Sequence, residues 1–217
     1  MVRYIVRSPR AAEVLMLIER VKGVAEGAAL MSETLVEPRL VCAMNSLLGN
    51  RVLENAMARN FEILGAPIFD KTDEAFARQI QDTLTKDHIQ SAYAMFGLEP
   101  GNTALCNRIV CTGSGGKQVL GSTDVGDVSW AIPTVQAYGA TLAIGTPLHT
   151  WQVTAQGKSP HAQKGMIHVS RVMAATGVDL FDNPDLLAEA KKEHASRLAR
   201  DPVVRILPPD LMPPLGG

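Results

Sequence analysis

Two aspartates and a few histidines are the residues of this chain whose types and spacing can do chemistry. Asp124 and Asp127 flank Gly126 in the run Ser122-Thr123-Asp124-Val125-Gly126-Asp127. Two carboxylates three residues apart, in a Gly- and Ser-rich turn after a strand, can point into a cleft. There they bind a metal, orient a histidine or accept a hydrogen bond from substrate. The same spacing also suits an Asx-turn, in which each aspartate bonds its own backbone amides.

His161 follows Ser159-Pro160 at a predicted helix start. The positive end of a helix dipole disfavours imidazolium, and neutral imidazole is the form that binds a metal. His161 is therefore the candidate metal ligand, with His168 two turns further along the same helix. His149 lies in Thr146-Pro147-Leu148-His149-Thr150-Trp151, just before a predicted strand, and suits either a pocket or a core position. His194, among Lys191, Lys192, Glu193 and Arg197, reads as part of a solvated helix face, and His88, after Lys86-Asp87, as exposed.

Other clusters carry less. Gly113-Ser114-Gly115-Gly116-Lys117 lacks the spacing of a phosphate-binding P-loop and reads as a flexible loop. The cysteines, Cys42, Cys106 and Cys111, are odd in number, and Cys106-x4-Cys111 is not a usual zinc pair. They read as reduced, partly buried thiols.

The elements that must position these residues follow from periodicity. Val2, Tyr4 and Val6 alternate like a strand. Ser8-Pro9 then opens a helix whose apolar set runs from Val14 to Ala25. Thr34–Val36 and Leu40–Cys42 read as further strand pieces. Apolar repeats predict helices over Asn50 to Leu64, ended by Gly65-Ala66-Pro67, and over Asp73 to Leu84, capped by Thr72. Residues 86 to 118 read as mostly loop. Strands are predicted around Val135 to Ile144 and at Trp151–Thr154. Two last helices cover about Ala162 to Leu180 and Pro184 to Leu198. The expected fold class is thus α/β.

At 217 residues and 46% hydrophobic, the chain can bury a real core. A net charge of −1 and a pI near 6.5 give no basic field for nucleic acid or an anionic membrane. No apolar run reaches the ~20 residues of a membrane span, and the N-terminus has no signal-peptide pattern. A cytoplasmic protein is expected.

Several runs taken together resemble one family. "VRYIVRSPR", "EVLMLIERVKGVAEGAALM", "GSTDVGDVSWAIPTVQ", "AIGTPLHTWQ" and "GKSPHAQKGM" are similar to the aminobenzoyl-glutamate hydrolase-like amidohydrolases. These belong to the aminoacylase and indole-acetyl-amino-acid hydrolase metallopeptidase family. The resemblance runs from Val2 to near Arg200.

It implies a division of the chain into the second half of an inserted α+β lid/dimerisation domain (1–44), the C-terminal part of a phosphorylase/hydrolase-like catalytic domain (45–201) and a Pro-rich tail (202–217). It implies a divalent metal, zinc or manganese, two per complete site, and a metal-activated water that attacks the amide of an N-acyl or N-aroyl amino acid. It makes Asp127 match an acidic motif position with Asp124 its neighbour, and makes His149 a substrate-pocket residue. Gln163 stands where the relatives carry a metal-site histidine, so either His161 takes over that role or the site is damaged. The general base and most ligands belong to a segment without counterpart here.

The chain is therefore expected to be a fragment, inactive alone, that binds a small amide substrate. It is expected to form a homodimer or to join a hetero-subunit through the lid. The alternatives are a non-catalytic binding or assembly subunit that pairs with a catalytic chain, and a degenerate gene fragment.

Overall fold

A computed structural model of the chain describes residues 1–110 and 123–207. The glycine-rich run at Gly113–Lys117, Cys111, Gly121, Ser122 and the tail from residue 208 lie outside the described residues. Eight helices are present among those described: α1 (Ala11–Met31), α2 (Arg51–Leu64), α3 (Lys71–Gln81), α4 (Lys86–Met95), α5 (Val125–Ala131), α6 (Trp151–Gln156), α7 (Pro160–Asp182) and α8 (Pro184–Arg200).

No strand occurs among the described residues, so the α/β expectation is corrected: the described fold is all-helical, and neither a catalytic sheet nor an α+β lid is formed. The physical reason is visible at each predicted strand. A strand is stable only when its amides and carbonyls find a ladder partner. Residues 2–6 stay largely exposed and pair with nothing regular. At 143–144 the amides are answered one at a time: Ala143 N–H donates to Gln156 Oε1 at 2.7 Å, and Ile144 N–H to the Ala104 carbonyl at 2.8 Å. Trp151–Gln156 is a helix, opened by Thr150.

The chain divides into two compact units. The first comprises Met1–Gly49, Leu120–Thr134 and His194–Gly217. Its long helix, α1, has no buried residue and no side-chain cap; Ser8 hydrogen-bonds Glu13 instead of capping. Order in this unit comes from short α5. Trp130 Nε1–H donates to the Ser46 carbonyl at 2.7 Å, and Leu48 N–H donates to Ser129 Oγ at 2.7 Å. A Cβ on Gly126 would collide with the Asn45 backbone, and this close approach lets the 45–48 segment lie on α5. His194 is buried, its Nε2 bonded to the Ser129 carbonyl at 2.9 Å. The solvated placement expected for it is wrong, because only one face of the charged α8 sequence is wet.

The second unit comprises Asn50–Val119 and Val135–Glu193. Its core is Ala77, Ile80, Ala104, Leu105 and Ala143, flanked by Phe69 and Phe76. Helix α2 packs along α7. Asn60 Nδ2 donates to Asp179 Oδ2 at 2.7 Å and Thr176 Oγ1 at 3.2 Å, while His168 Nε2–H donates to the Gly65 carbonyl at 2.7 Å. Gly65 ends α2 at φ 71°, a conformation that favours glycine. The start of α2 is closed from far along the chain. Asn50 Oδ1 accepts from Leu53 N–H at 3.1 Å and its Nδ2 donates to the Ala190 carbonyl at 2.8 Å. The Glu193 carboxylate takes the N–H groups of Arg51 and Val52 at 3.1 and 3.0 Å.

Candidate functional site

The site is built where α6 ends and α7 begins. Ser159 caps α7, accepting from Ala162 N–H at 3.3 Å, and Pro160 takes the first helical position, where its missing N–H costs nothing. That geometry carries the next residue, His161, inward. His161 is fully buried, its ring 5.8 Å from that of Phe76 on α3.

The hydrogen bonds around His161 fix its tautomer. Nε2 lies 3.1 Å from Ser159 Oγ and 3.3 Å from Gln156 Oε1. The Ser159 hydroxyl donates its one hydrogen to the Gln156 carbonyl at 2.7 Å, so toward His161 its oxygen accepts. Gln156 Oε1 is an acceptor by nature. Nε2 therefore carries the hydrogen, and Nδ1 presents a bare lone pair. Nδ1 is buried and has no hydrogen-bond partner. Gln156 is itself fully buried and held by Ala143 N–H, by Thr146 Oγ1 at 3.2 Å and by the Gln152 carbonyl at 3.0 Å.

Burial lowers the His161 pKa below its usual value, a shift opposed by the charges of Asp73 and Glu74 and aided by that of Lys164. The neutral ring is thus favoured in the folded state. In the pH range where unfolded histidine takes up a proton and folded His161 does not, the unfolded chain binds more protons, so stability rises with pH. Stability is expected to fall as pH drops through about 6.5. The check is the urea midpoint at pH 7.5 and 5.5: His161→Gln should show a smaller difference than the parent chain, and an equal difference would refute the assignment.

Asp73 stands beside this ring, with its side chain almost fully buried. It accepts from Asp70 N–H at 2.9 Å, closing the capping box of α3, and pairs with Lys164. The Lys164 ammonium also bonds Asp70 at 2.7 Å and, with neighbouring amides, lowers its carboxyl pKa to about 2. A cleft of ≈ 420 Å³ opens between the first turns of α3 and α7, lined by Thr72, Asp73, Phe76, Lys158, Pro160 and His161 among others.

The other expected site residues are placed as follows. Asp124 is exposed and caps α5, accepting from Val125 N–H at 3.1 Å. Asp127 is exposed and accepts from Asn45 Nδ2 at 2.7 Å and Asn45 N–H at 3.3 Å. Both carboxylates serve amide N–H groups of the chain itself, within the first unit. His149 belongs to the second unit, is exposed and sits at φ 63°, an uncommon backbone state for a non-glycine residue. Gln163 is exposed on the first turn of α7. Sequence reasoning missed Gln156, Phe76 and Asp73; only the Asp70-x-x-Asp73 capping pattern was there to be read.

The fit of a metal can be tested on these atoms. A ligating histidine holds its other ring N–H in a hydrogen bond and offers the remaining nitrogen, and His161 does both. It fills one coordination position. Catalytic zinc takes about three protein ligands. No group of three His, Cys, Asp or Glu side chains suited to a metal ion is found among the described residues. The described residues therefore do not make a metal centre by themselves.

The chain is similar to known hydrolases. Over 98% of its length the chain is 39% identical to a subunit of the p-aminobenzoyl-glutamate hydrolase of Escherichia coli strain K12. Its similarity is to the aminobenzoyl-glutamate hydrolases. This hydrolase-like chain spans 46% of that relative's length. It is also 28% identical, over 59% of its residues and 28% of the relative, to the Xaa-Arg dipeptidase of Mus musculus. No family model and no solved structure matches it. No helix among its described residues is long and apolar enough to cross a membrane.

Proposed function

We propose that the chain is part of a metal-dependent amidohydrolase that cleaves an N-acyl or N-aroyl amino acid of the aminobenzoyl-glutamate kind. The observation that carries the reading is the 39% identity, over 98% of the chain, to a p-aminobenzoyl-glutamate hydrolase component. The free Nδ1 of His161 supports it, as one place for zinc or manganese. Such an ion, when bound, supplies Lewis-acid activation of water.

In this reading the other ligands and the general base come from the portion of the relative that the match does not cover. His161 is held neutral by burial and aligned by Ser159 and Gln156. His149 contributes to the substrate pocket of the assembled protein, a homodimer or a complex with a second kind of subunit. A non-catalytic assembly subunit is the second reading, favoured by the relative's being one component of a hydrolase.

The test is amide hydrolysis with added zinc or manganese. The chain alone is expected to show no turnover. Co-expressed with a polypeptide equivalent to the unmatched part of the E. coli relative, it should hydrolyse p-aminobenzoyl-glutamate, and His161→Ala should abolish both turnover and the metal content due to this chain. Robust turnover by the isolated chain, or activity and metal content indifferent to His161→Ala, overturns the reading; the latter outcome favours the assembly subunit.

A further inference from the structure

Helix α7 is apolar on two sides, and the second unit covers one of them. The covered side holds His161, Ala162, Gly165, Val172 and Thr176. At about 3.6 residues per turn, the side next to it holds Met166, Ile167, Met173, Val178 and Phe181. All five are exposed, Phe181 by 88%. Between them lie Ser170 and Ala174, also exposed, and Gly177. This second face spans about 140° of the helix and carries no charged residue. Lys164, Arg171, Asp179 and Asp182 all fall in the arc left over. A surface helix keeps its apolar residues to one stripe; a helix apolar over most of its circumference is one that is packed from more than one side.

The exposed face complements itself about a point between Met173 and Ala174. Turned end for end, a second copy of α7 sets Met166 against Phe181, Ser170 against Gly177 and Met173 against Ala174. Large meets small at the centre, and a thioether meets an aromatic ring at each end, a favourable contact. Charge selects the direction. Lys164 and Asp182 stand on one edge of the face, near opposite ends of α7. Asp182 is exposed and has no ion pair among the described residues. An antiparallel pair brings Asp182 of one copy beside Lys164 of the other. A parallel pair gives Asp182 no cation across the interface.

We infer that the chain self-associates through this face, as a reversible two-fold dimer with α7 antiparallel on α7. From Gln163 to Phe181 the face runs about 27 Å along a helix about 10 Å wide. It buries on the order of 1,000 Å² over the two copies, the small end of specific interfaces, so the pair is a weak one. The face lies within the second unit, and the inference rests on it alone. The amidohydrolase reading neither supports it nor falls with it.

The experiment is sedimentation velocity of the purified chain from about 2 to 200 µM, spanning the dissociation constants of so small an interface. The parent chain is expected to move from 23.3 kDa toward twice that mass as concentration rises. Met173→Glu sets two carboxylates at the centre of the pair. It should raise the dissociation constant at least about tenfold, with helix content and melting temperature at low concentration unchanged. Asp182→Lys should raise it about fivefold at low salt and less at high salt. Met16→Glu, at an exposed position on α1 in the first unit, should change nothing. Orientation is read by oxidative cross-linking in a background whose three cysteines are replaced by serine. Ser170→Cys mixed with Gly177→Cys should give a cross-linked pair, and Ser170→Cys alone should not.

A chain that stays monomeric over the whole range overturns the inference. So does a dimer that is indifferent to Met173→Glu or is broken by Met16→Glu, and so does self-cross-linking of Ser170→Cys. If the chain is monomeric alone and needs Met173 only to bind the polypeptide equivalent to the unmatched part of the E. coli relative, the face belongs to that partner and the inference is again wrong.

Discussion

Gly165→Ala should destabilise the second unit by about 3 kcal/mol, at the upper end of what overpacking costs. The cause is local. Gly165 is buried on α7 where the chain at 139–141 lies directly on the helix. A Cβ there would stand 2.7 Å from the carbonyl carbon of Ala140 and closer still to its oxygen. Backbone, unlike a flexible side-chain tip, cannot swing aside, so the whole segment must retreat from α7. That segment leads into Ala143, whose N–H seats Gln156, so His161 is expected to lose its alignment as well.

The same helix supplies the control. Gly177 has nothing within 4 Å of its would-be Cβ. Gly177→Ala should therefore stabilise, by about 1 kcal/mol, through helix propensity alone. Urea unfolding followed by far-UV circular dichroism reads both. If the two substitutions shift the midpoint the same way, the packing of 139–141 on α7 is wrong.

Asn50→Ala should cost about 2–3 kcal/mol, from two losses that a third variant separates. Asn50 is fully buried. Its Oδ1 caps α2, a role worth roughly 0.5–2 kcal/mol. Its Nδ2 bonds the Ala190 carbonyl on α8, and a buried bond of this kind adds about 1 kcal/mol. Aspartate caps as well as asparagine. If capping alone mattered, Asn50→Asp would be harmless. It turns a donor into an acceptor opposite Ala190, so Asn50→Asp is expected to be at least as damaging as Asn50→Ala. A stable Asn50→Asp protein would refute the link between α2 and α8 through this side chain.

The helices that the sequence predicts correctly are those whose signals are local. α2, α7 and α8 carry apolar repeats over 14, 23 and 17 residues, long enough to outweigh single misfits. Gly65 marks an end because its backbone state is written in its residue type. α3 begins at Lys71, ahead of the expected Asp73, because Asp70 and Asp73 form the capping box that Thr72 was expected to start. α4 is hidden because its box uses His88 in place of the usual glutamate.

The strands fail for the opposite reason. Trp151, Val153 and Thr154 have strand propensity, but Gln152 and Gln156 are the residues that become buried, one turn apart on a helix. Tertiary contact overrides propensity in so short a segment. The site divides the same way. His161 is legible from Ser159-Pro160 and the dipole of the helix they open. Its unpaired Nδ1 is not, because that depends on which way Gln156 and Ser159 point, and Phe76 reaches it from 85 positions away in the chain.

The closure of α2 by Asn50 and Glu193 sets a clock on synthesis. The groups that finish the first turn of α2 lie 140 to 142 positions downstream. At roughly 5–20 residues per second, a ribosome needs on the order of ten seconds to reach them after Asn50 has emerged. For that interval the start of α2 lacks the Ala190 carbonyl and the Glu193 carboxylate that close it. Rare codons in the stretch leading to Glu193 would lengthen the wait.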